Sequence, residues 1–167
     1  MIARTLNLLF LIILTALFSS CSQKEERLGS GDLAAPNFRL EAADGSKLEL
    51  ADYKGKVIIL DFWATWCPPC RREIPGFNQL YHRYRDRGLV IIGISLDQYG
   101  WKAIRPFIKS YQVDYPIVLG NAQVANLYGG IRTIPTTFII DRNGIVVDRV
   151  VGYRPKSYFE QKIKELL

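Results

Sequence analysis

The chain has 167 residues, of which 49% are hydrophobic and 23% charged, and this is enough for one globular domain with its own apolar core. The formal net charge is +6, but the basic residues are scattered among acidic ones. This pattern argues against a nucleic-acid-binding surface and favours a solvated basic surface, compatible with an anionic membrane or an acidic partner.

The N-terminal residues predict an export signal. Arg4 and the amino terminus form a short positive region, residues 8–18 are an almost unbroken apolar run, and the small residues Ser19 and Ser20 precede Cys21. The run is shorter than the roughly 20 apolar residues that span a bilayer, so an uncleaved anchor is the weaker alternative. Small residues that end in a cysteine resemble a bacterial lipoprotein signal, which implies that Cys21 is acylated and becomes the new N-terminus. The other interpretation is an ordinary signal peptide that is cleaved after Cys21.

The composition predicts three segments. Residues 1–21 are the signal peptide with its lipidation cysteine, residues 22–35 are a polar and flexible tether, and residues 36–167 form the folded domain. The domain begins with apolar and polar residues that alternate on either side of Asp44-Gly45. This alternation predicts a β-hairpin.

Beyond the hairpin, the hydrophobic period switches repeatedly between that of strands and that of helices. The predicted elements are a buried strand at 57–63, a helix at 68–87, a strand at 89–95, a helix at about 101–112, an apolar segment at 115–119, a short helix near 121–128, strands at 136–140 and 145–151, and a terminal helix from Lys156. The order strand, helix, strand implies parallel pairing, and the two closing strands imply an antiparallel hairpin on the same sheet. We therefore predict an α/β fold of thioredoxin type. It is a three-layer sandwich with a mixed central sheet, an N-terminal β-hairpin extension and a helix–strand insertion.

Two cysteines lie where the first buried strand meets the following helix, in the run Trp63-Ala64-Thr65-Trp66-Cys67-Pro68-Pro69-Cys70. Two intervening residues in the first helical turn bring the sulfurs close enough to bond, and the helix N-terminus stabilises a thiolate on the first cysteine. The spacing therefore predicts a redox-active pair. We expect Cys67 to be the attacking nucleophile, exposed at the end of the strand, and Cys70 to be the buried resolving thiol.

A structural zinc half-site is the alternative for this pair. Zinc would need two more ligands, and the sequence offers only Cys21 in the signal region and His82 midway along a helix. We expect His82 to be a surface or boundary residue of that helix. The prediction is therefore a site without a metal or an organic cofactor.

The two prolines between the cysteines influence the expected redox potential. Pro68 and Pro69 remove two backbone amides that could have stabilised the Cys67 thiolate. We hypothesise that this thiolate is less favoured than in strongly oxidising sites, which places the couple toward the reducing end. The alternative is that the prolines only make the turn rigid.

Two carboxyl groups are candidate catalytic residues. Asp61 lies inside an otherwise apolar strand, where a carboxyl is costly unless it stays protonated or has a partner. We favour proton transfer over a purely structural hydrogen bond for Asp61. Glu73 lies three residues after Cys70 on the same helix face, where a buried carboxylate would raise the pKa values of the thiols. The alternative for Glu73 is an acid that only complements the helix dipole.

Several runs resemble one family of known proteins. They lie at residues 54–57, 62–75, 93–97, 128–130 and 134–141. They resemble the extracytoplasmic, membrane-tethered thioredoxin-like proteins of bacteria, the TlpA/ResA type, over essentially everything from Pro36 onward. The resemblance implies a thiol–disulfide oxidoreductase, usually a reductant of disulfides in exported proteins.

The resemblance also implies roles for individual residues. Asp61 aligns with a buried aspartate that shuttles the proton of the resolving cysteine, and Glu73 matches an acidic position of the redox-site helix. The peptide bond between Ile134 and Pro135 is expected to be cis and to face the cysteines, where the neighbouring backbone would hydrogen-bond a docked substrate strand. Trp66 is expected to shield the disulfide and to offer an apolar docking surface. The predicted substrate-binding residues are Trp66, Pro68, Ile134 and Pro135.

The implied partners are a disulfide-containing exported protein, for which apocytochrome c is one family possibility, and a membrane-embedded thiol reductant as electron donor. The lipid anchor would hold the domain at a membrane of the cell envelope, on the periplasmic side, and no nucleic acid is expected. Two rival functions stay open, a thiol peroxidase and a non-catalytic binding or chaperone module. Peroxidases use a Pro–x–x–x–Thr–x–x–Cys pattern, whereas here Thr65 is two residues before Cys67 and Leu60 stands where the proline should be.

Overall fold

A computed structural model describes residues 33–167. The strands in this part of the chain are β1 (Arg39–Glu41), β2 (Lys47–Glu49), β3 (Val57–Trp63), β4 (Leu89–Ser95), β5 (Ile117–Leu119), β6 (Thr136–Ile140) and β7 (Val146–Val151). The α-helices are α1 (Pro68–Tyr84), α2 (Trp101–Tyr111), α3 (Ala122–Leu127) and α4 (Lys156–Leu166), and short 3-10 helices lie at Leu50–Tyr53 and Arg85–Arg87. Each element predicted for this region is present.

Strand β3 lies in the middle of a five-stranded sheet with the order β5-β4-β3-β6-β7. It pairs in parallel with β4 and antiparallel with β6, while β4 pairs in parallel with β5. Strands β6 and β7 form the predicted antiparallel hairpin beside it. Every residue of β3 is buried, because both faces of the sheet are covered, as a continuous apolar run suggests. The predicted mixed sheet is confirmed.

Each face of the sheet has its own apolar core, because alternate residues of a strand point to opposite faces. Ile59 and Trp63 of β3 pack with helices α1, α2 and α4 on one face. Leu60 and Phe62 pack with the β1–β2 hairpin and with α3 on the other face. This arrangement is the predicted three-layer thioredoxin-like sandwich.

The N-terminal hairpin extends the domain at the β5 edge of the sheet. Ala42 forms an isolated antiparallel bridge with Val118, and the Ala43 amide donates to the Ile117 carbonyl oxygen at 3.2 Å. The hairpin thereby covers part of an edge strand whose backbone groups would otherwise face solvent.

Helix α1 positions the cysteines. It begins at Pro68 with Cys67 as its N-cap, and its apolar face is held in the core. The helix ends at Tyr84, and the 3-10 helix and Gly88, with φ of 105°, turn the chain into β4. The predicted helix at 68–87 therefore includes the 3-10 turn. The buried apolar residues of α1 after its first turn are Ile74, Phe77, Leu80 and Tyr84.

The structure corrects the predicted end of the tether. The Ala35 amide donates to the Gly144 carbonyl oxygen at 2.8 Å, and the Val146 amide donates to the Leu33 carbonyl oxygen at 3.0 Å. Residues 33–35 therefore pair with the β6–β7 turn, a contact distant in sequence that polar composition cannot reveal. The predicted signal peptide and Cys21 lie outside the described residues. Between residues 33 and 167, no helix has the length and apolar character needed to cross a membrane.

Candidate active site

The two cysteines are bonded to each other at the start of α1. Their Cα atoms lie 5.3 Å apart, and the sulfurs form a disulfide. The β3 strand delivers the chain to this point, and the first turn of α1 places Cys70 beneath Cys67. The predicted pairing of Cys67 with Cys70 is confirmed.

One backbone amide of the helix N-terminus points at the Cys67 sulfur. The Cys70 N–H donates to Cys67 Sγ over 3.3 Å. Pro68 and Pro69 occupy the first helical positions and have no N–H to donate. The Cys67 sulfur therefore has fewer donors than an ordinary helix N-terminus would supply, and the effect on the redox potential of the pair stays a prediction.

The expected exposure of Cys67 is wrong. Cys67 and Cys70 are each only 2% exposed, and both belong to the core on the α1 side of the sheet. Cys67 Sγ lies 3.7 Å from the Ile134 carbonyl oxygen, so the loop before β6 lies directly against the disulfide. The exposed residues of the motif are Trp66, at 61%, and Pro68. A strand end does not guarantee exposure, because a loop distant in sequence can cover it.

The loop that lies against the disulfide contains a cis peptide bond between Ile134 and Pro135, as the resemblance implied. The Pro135 carbonyl oxygen accepts a hydrogen bond from the Gly152 amide at 2.8 Å. The Thr136 hydroxyl donates to the Thr133 carbonyl oxygen at 2.7 Å. These bonds hold the loop on both sides of the proline. Ile134 is half-buried and Pro135 is buried.

Asp97, a buried aspartate to which the sequence motifs assigned no role, holds the loop before Cys67 by hydrogen bonds. Asp97 is 6% exposed and accepts hydrogen bonds from the Thr65 amide at 2.9 Å, the Thr65 hydroxyl at 2.6 Å and the Ser95 hydroxyl at 2.7 Å. The Arg71 Nε donates to the Thr65 carbonyl oxygen at 2.6 Å. The sequence could have indicated Asp97, because an acid just after β4 lies near the end of the parallel strand β3. The carboxyl ends of parallel strands share one edge of the sheet.

Asp61 lies on the same face of the sheet as the disulfide. The strand alternation places it between Ile59 and Trp63, which pack in the core that also contains both cysteines. Asp61 Oδ1 accepts a hydrogen bond from the Thr137 hydroxyl at 2.9 Å. Burial of the carboxyl raises the pKa of Asp61 to about 7, although the Thr137 bond opposes this shift. Asp61 therefore has one hydrogen-bond partner in the part of the chain that the structure describes and a pKa close to neutral pH.

Glu73 is buried at 4% exposure. Its Oε1 accepts a hydrogen bond from the Arg154 amide at 2.9 Å, and its Oε2 has no hydrogen-bond partner within residues 33–167. Burial, followed by the negative charge of Asp61, raises the pKa of Glu73 to about 8, while the nearby guanidinium groups of Arg154 and Arg72 lower it. These contacts favour a carboxyl coupled to Asp61 over one that only complements the helix dipole.

The remaining candidate residues have clear positions. Pro68 is exposed beside Trp66, next to the disulfide, whereas Trp63 is a core residue at 2% exposure. His82 is exposed on α1, as expected, and its Nε2 lies 2.7 Å from Asp114 Oδ2. The structure therefore brings Cys67, Cys70, Trp66, Pro68, Ile134 and Pro135 to one end of the sheet.

The chain is similar to known proteins over most of its length. Residues 32–149 match the AhpC/TSA family. The thiol-disulfide oxidoreductase ResA of Bacillus cereus is 36% identical over 151 residues, which cover 90% of this chain and 86% of that protein. The thioredoxin-like protein YneN of Bacillus subtilis is 35% identical over 148 residues, which cover 88% and 86%. The crystal structure of a thiol:disulfide interchange protein of the thioredoxin family from Chlorobium tepidum TLS is 33% identical, with a TM-score of 0.75, and the match covers 83% of this chain and 98% of that one.

Proposed function

The chain belongs to the AhpC/TSA family and to the TlpA/ResA-type thiol–disulfide oxidoreductases, and we propose that it reduces disulfides in exported proteins through Cys67 and Cys70. The observation that carries the proposal is the bonded pair at the start of α1, directly against the cis Ile134–Pro135 loop. The exposed Trp66 beside it offers an apolar surface to a polypeptide.

The reaction is thiol–disulfide exchange. The Cys67 thiolate attacks one sulfur of the substrate disulfide, which forms a mixed disulfide and releases the other substrate sulfur as a thiolate. The Cys70 thiolate then attacks Cys67 Sγ, which re-forms the Cys67–Cys70 bond and releases the second substrate sulfur. Two electrons pass to the substrate, whose sulfurs become thiols on taking up two protons.

The position of each cysteine supports its role. Cys67 is the N-cap of α1, where the helix dipole and the Cys70 amide at 3.3 Å favour a thiolate. Cys70 lies within the first turn, so only Cys67 is next to the Ile134 backbone on which a substrate strand would dock. Trp66, Pro68, Ile134 and Pro135 are the residues that we propose for substrate docking.

Asp61 is the proposed acceptor of the Cys70 proton. A carboxyl with a pKa of about 7 is partly ionised at neutral pH, so it can both take up and return a proton. Glu73, one helical turn after Cys70 and coupled to Asp61 by charge, is proposed to raise the pKa values of the thiols when it ionises.

Three further parts of the proposal concern the location of the protein. The apolar run at residues 8–18 followed by Cys21 supports export and acylation of Cys21. Residues 22–32 would then tether the domain to the membrane outside the cytoplasm. An oxidised Cys67–Cys70 pair needs a source of two electrons for the next turnover, and we propose a membrane-embedded thiol reductant.

A trapping experiment tests the proposal. The Cys70→Ser variant should accumulate a covalent adduct with its substrate, because Cys67 can still attack but the mixed disulfide is no longer resolved. Non-reducing electrophoresis followed by mass spectrometry would identify the captured proteins, with apocytochrome c as one candidate. The Cys67→Ser, Cys70→Ser double variant is the control and should capture nothing. A non-catalytic binding module would give no reducible adduct in either variant.

The environment of Thr65 argues against a thiol peroxidase. The Thr65 hydroxyl donates to Asp97 at 2.6 Å and is therefore already used in holding the loop. Leu60, which stands where the peroxidase pattern has proline, is fully buried in β3. We expect little peroxide consumption, and a rate comparable to that of disulfide reduction would contradict the proposal.

A further inference from the structure

A cleft of about 200 Å³ lies beside the active site, between helix α1 and the segment that joins β7 to α4. We call it the Tyr153 cleft. The lining residues with polar side chains are Arg72, Glu73, Gln79, Tyr153, Arg154 and Lys156. The sequence motifs assigned no role to any of these residues except Glu73.

The cleft is connected to the redox centre by two backbone contacts. The Gly152 amide donates to the Pro135 carbonyl oxygen at 2.8 Å, which attaches the start of the β7–α4 segment to the cis-proline loop. The Arg154 amide donates to Glu73 Oε1 at 2.9 Å, which attaches the same segment to α1, one turn after Cys70. A polypeptide that docks on the cis-proline loop can therefore extend over the cleft.

The cleft carries positive charge without a matching carboxylate. Arg72, Arg154 and Lys156 are exposed, and among the described residues none of the three forms a salt bridge. Their polar contacts are neutral: Arg154 Nη1 donates to the Tyr153 carbonyl oxygen at 3.0 Å, and Lys156 Nζ donates to Gln79 Oε1 at 2.9 Å.

Basic residues farther along the same helices are paired. Arg83 lies 2.9 Å from Glu160, and Lys162 lies 3.5 Å from Asp148. Arg72 of α1 and Lys156 of α4, which line the cleft and have no salt bridge among the described residues, thus lie at the active-site end of the layer that these helices form. A surface patch with this charge attracts an anion and suits an acidic partner.

The Arg72 side chain is restrained even when no ligand is bound. Its guanidinium lies over the Tyr153 ring, with 4.8 Å between Cζ and the ring centroid. Such stacking restrains the side chain and leaves the edge N–H groups free for a carboxylate. The one acid in the lining, Glu73, has a pKa of about 8 and is mainly neutral at pH 7, so it leaves the cations uncompensated.

We propose that the Tyr153 cleft binds an acidic side chain of the protein substrate, next to the disulfide that is reduced. This inference rests on the proposed function, and it adds a preference for substrates with an aspartate or glutamate near the reacting cysteines. An anionic membrane surface is the competing source of negative charge. The attachment of the cleft to the cis-proline loop favours the polypeptide, because a membrane seated there would cover the disulfide.

The test uses the full chain and a set of peptides with one internal disulfide. The peptides carry a single glutamate, or glutamine as the neutral match, at each flanking position in turn. At about 0.01 M salt, the best acidic peptide should be reduced with a kcat/KM about three- to tenfold higher than that of its neutral match. At about 1 M salt, where charges are screened beyond roughly 3 Å, the ratio should return toward one.

Two variants assign the effect to the cleft. The Arg72→Gln, Lys156→Gln double variant should lose the preference for the acidic peptide at low salt. The matched control is the Arg87→Gln, Lys109→Gln double variant. Arg87, in the 3-10 helix that follows α1, also lies over a tyrosine ring, with 5.2 Å between Cζ and the Tyr84 centroid, and Lys109 is an exposed residue of α2. This double control should keep the full preference, because it removes the same number of positive charges and the same kind of stacking elsewhere.

A binding measurement separates this inference from the proposed function. Peptides with serine in place of both cysteines should shift the amide NMR signals of Tyr153 and Lys156 when they carry the glutamate, and not when they carry glutamine. If no peptide is reduced but these shifts occur, the proposed function fails and the cleft assignment stands.

Three results would overturn the cleft assignment while leaving the proposed function intact. The first is equal reduction of acidic and neutral peptides without the NMR shifts. The second is a preference that persists in the double variant. The third is equal reduction together with binding to vesicles of anionic lipid that is absent for zwitterionic vesicles and lost in the double variant, which assigns the cleft to a membrane.

Discussion

Replacing Glu73 with glutamine should flatten the dependence of stability on pH. In the folded protein, burial and the charge of Asp61 raise the pKa of Glu73 from 4.5 to about 8. The folded state therefore retains a proton that the unfolded chain releases above its lower pKa, and the free energy of unfolding falls as the pH rises from 4.5 toward 8. The stabilisation that Glu73 contributes is therefore fully present below pH 4.5 and lost above about pH 8.

The size of the effect follows from the width of the window. One pKa unit corresponds to about 1.4 kcal/mol, so Glu73 should lower the free energy of unfolding by roughly 2 to 3 kcal/mol between about pH 5 and pH 7. Asp61, whose pKa is raised from 3.8 to about 7, adds a similar dependence at slightly lower pH. Glu73→Gln removes only the pH dependence that comes from Glu73. The hydrogen bond from the Arg154 amide is kept, because the glutamine oxygen can still accept it.

The assay is chemical denaturation of the oxidised protein at several values between about pH 5 and pH 8. The oxidised form is chosen because disulfide-bonded cysteines do not titrate. The Glu165→Gln variant, which removes an exposed acid from α4, is the matched control and should keep the wild-type pH dependence. Parallel curves for the wild type and Glu73→Gln would refute the assignment of a buried, mainly neutral carboxyl.

Three other predictions follow from the same structure. Asp61→Asn should slow resolution of the mixed disulfide by at least about tenfold at neutral pH in stopped-flow measurements, because the amide cannot take up the proton; an unchanged rate rejects the proposed role. Gly93→Ala should lower the free energy of unfolding by about 1 to 3 kcal/mol, because its methyl would lie 2.5 Å from an isoleucine side chain of β5. Gly76→Ala in α1, whose methyl would come no closer than 3.2 Å to a neighbouring side chain, is the control, and an equal loss would contradict the packing argument. Thr65→Val removes the hydroxyl that donates to Asp97 and should cost about 1 to 3 kcal/mol. The Thr65 amide should then exchange its hydrogen faster, and exchange at the wild-type rate would contradict a role for that hydroxyl in holding the loop.

Local sequence patterns were sufficient for the secondary structure around the site. The apolar runs at 57–63 and 89–95 have the same bounds as β3 and β4, and a turn glycine, Gly55 or Gly88, comes shortly before each run. The spacing of Cys67 and Cys70 likewise predicted their pairing, because two residues separated by one helical turn are neighbours whatever the rest of the chain does. The cis peptide bond before Pro135 was predicted from the family resemblance alone.

The amino-acid sequence by itself thus determined the strand-to-helix junction, the redox pair at that junction and the carboxyl buried in β3. Only the tertiary structure decided that Cys67 is buried, that Asp97 holds the loop before it, and that the Arg154 amide occupies one oxygen of Glu73. The physical reason is the distance along the chain between the partners. Helix turns and strand runs depend on neighbouring residues, whereas burial, pKa and unpaired charge depend on which distant segments the packing of the sheet and helices brings together.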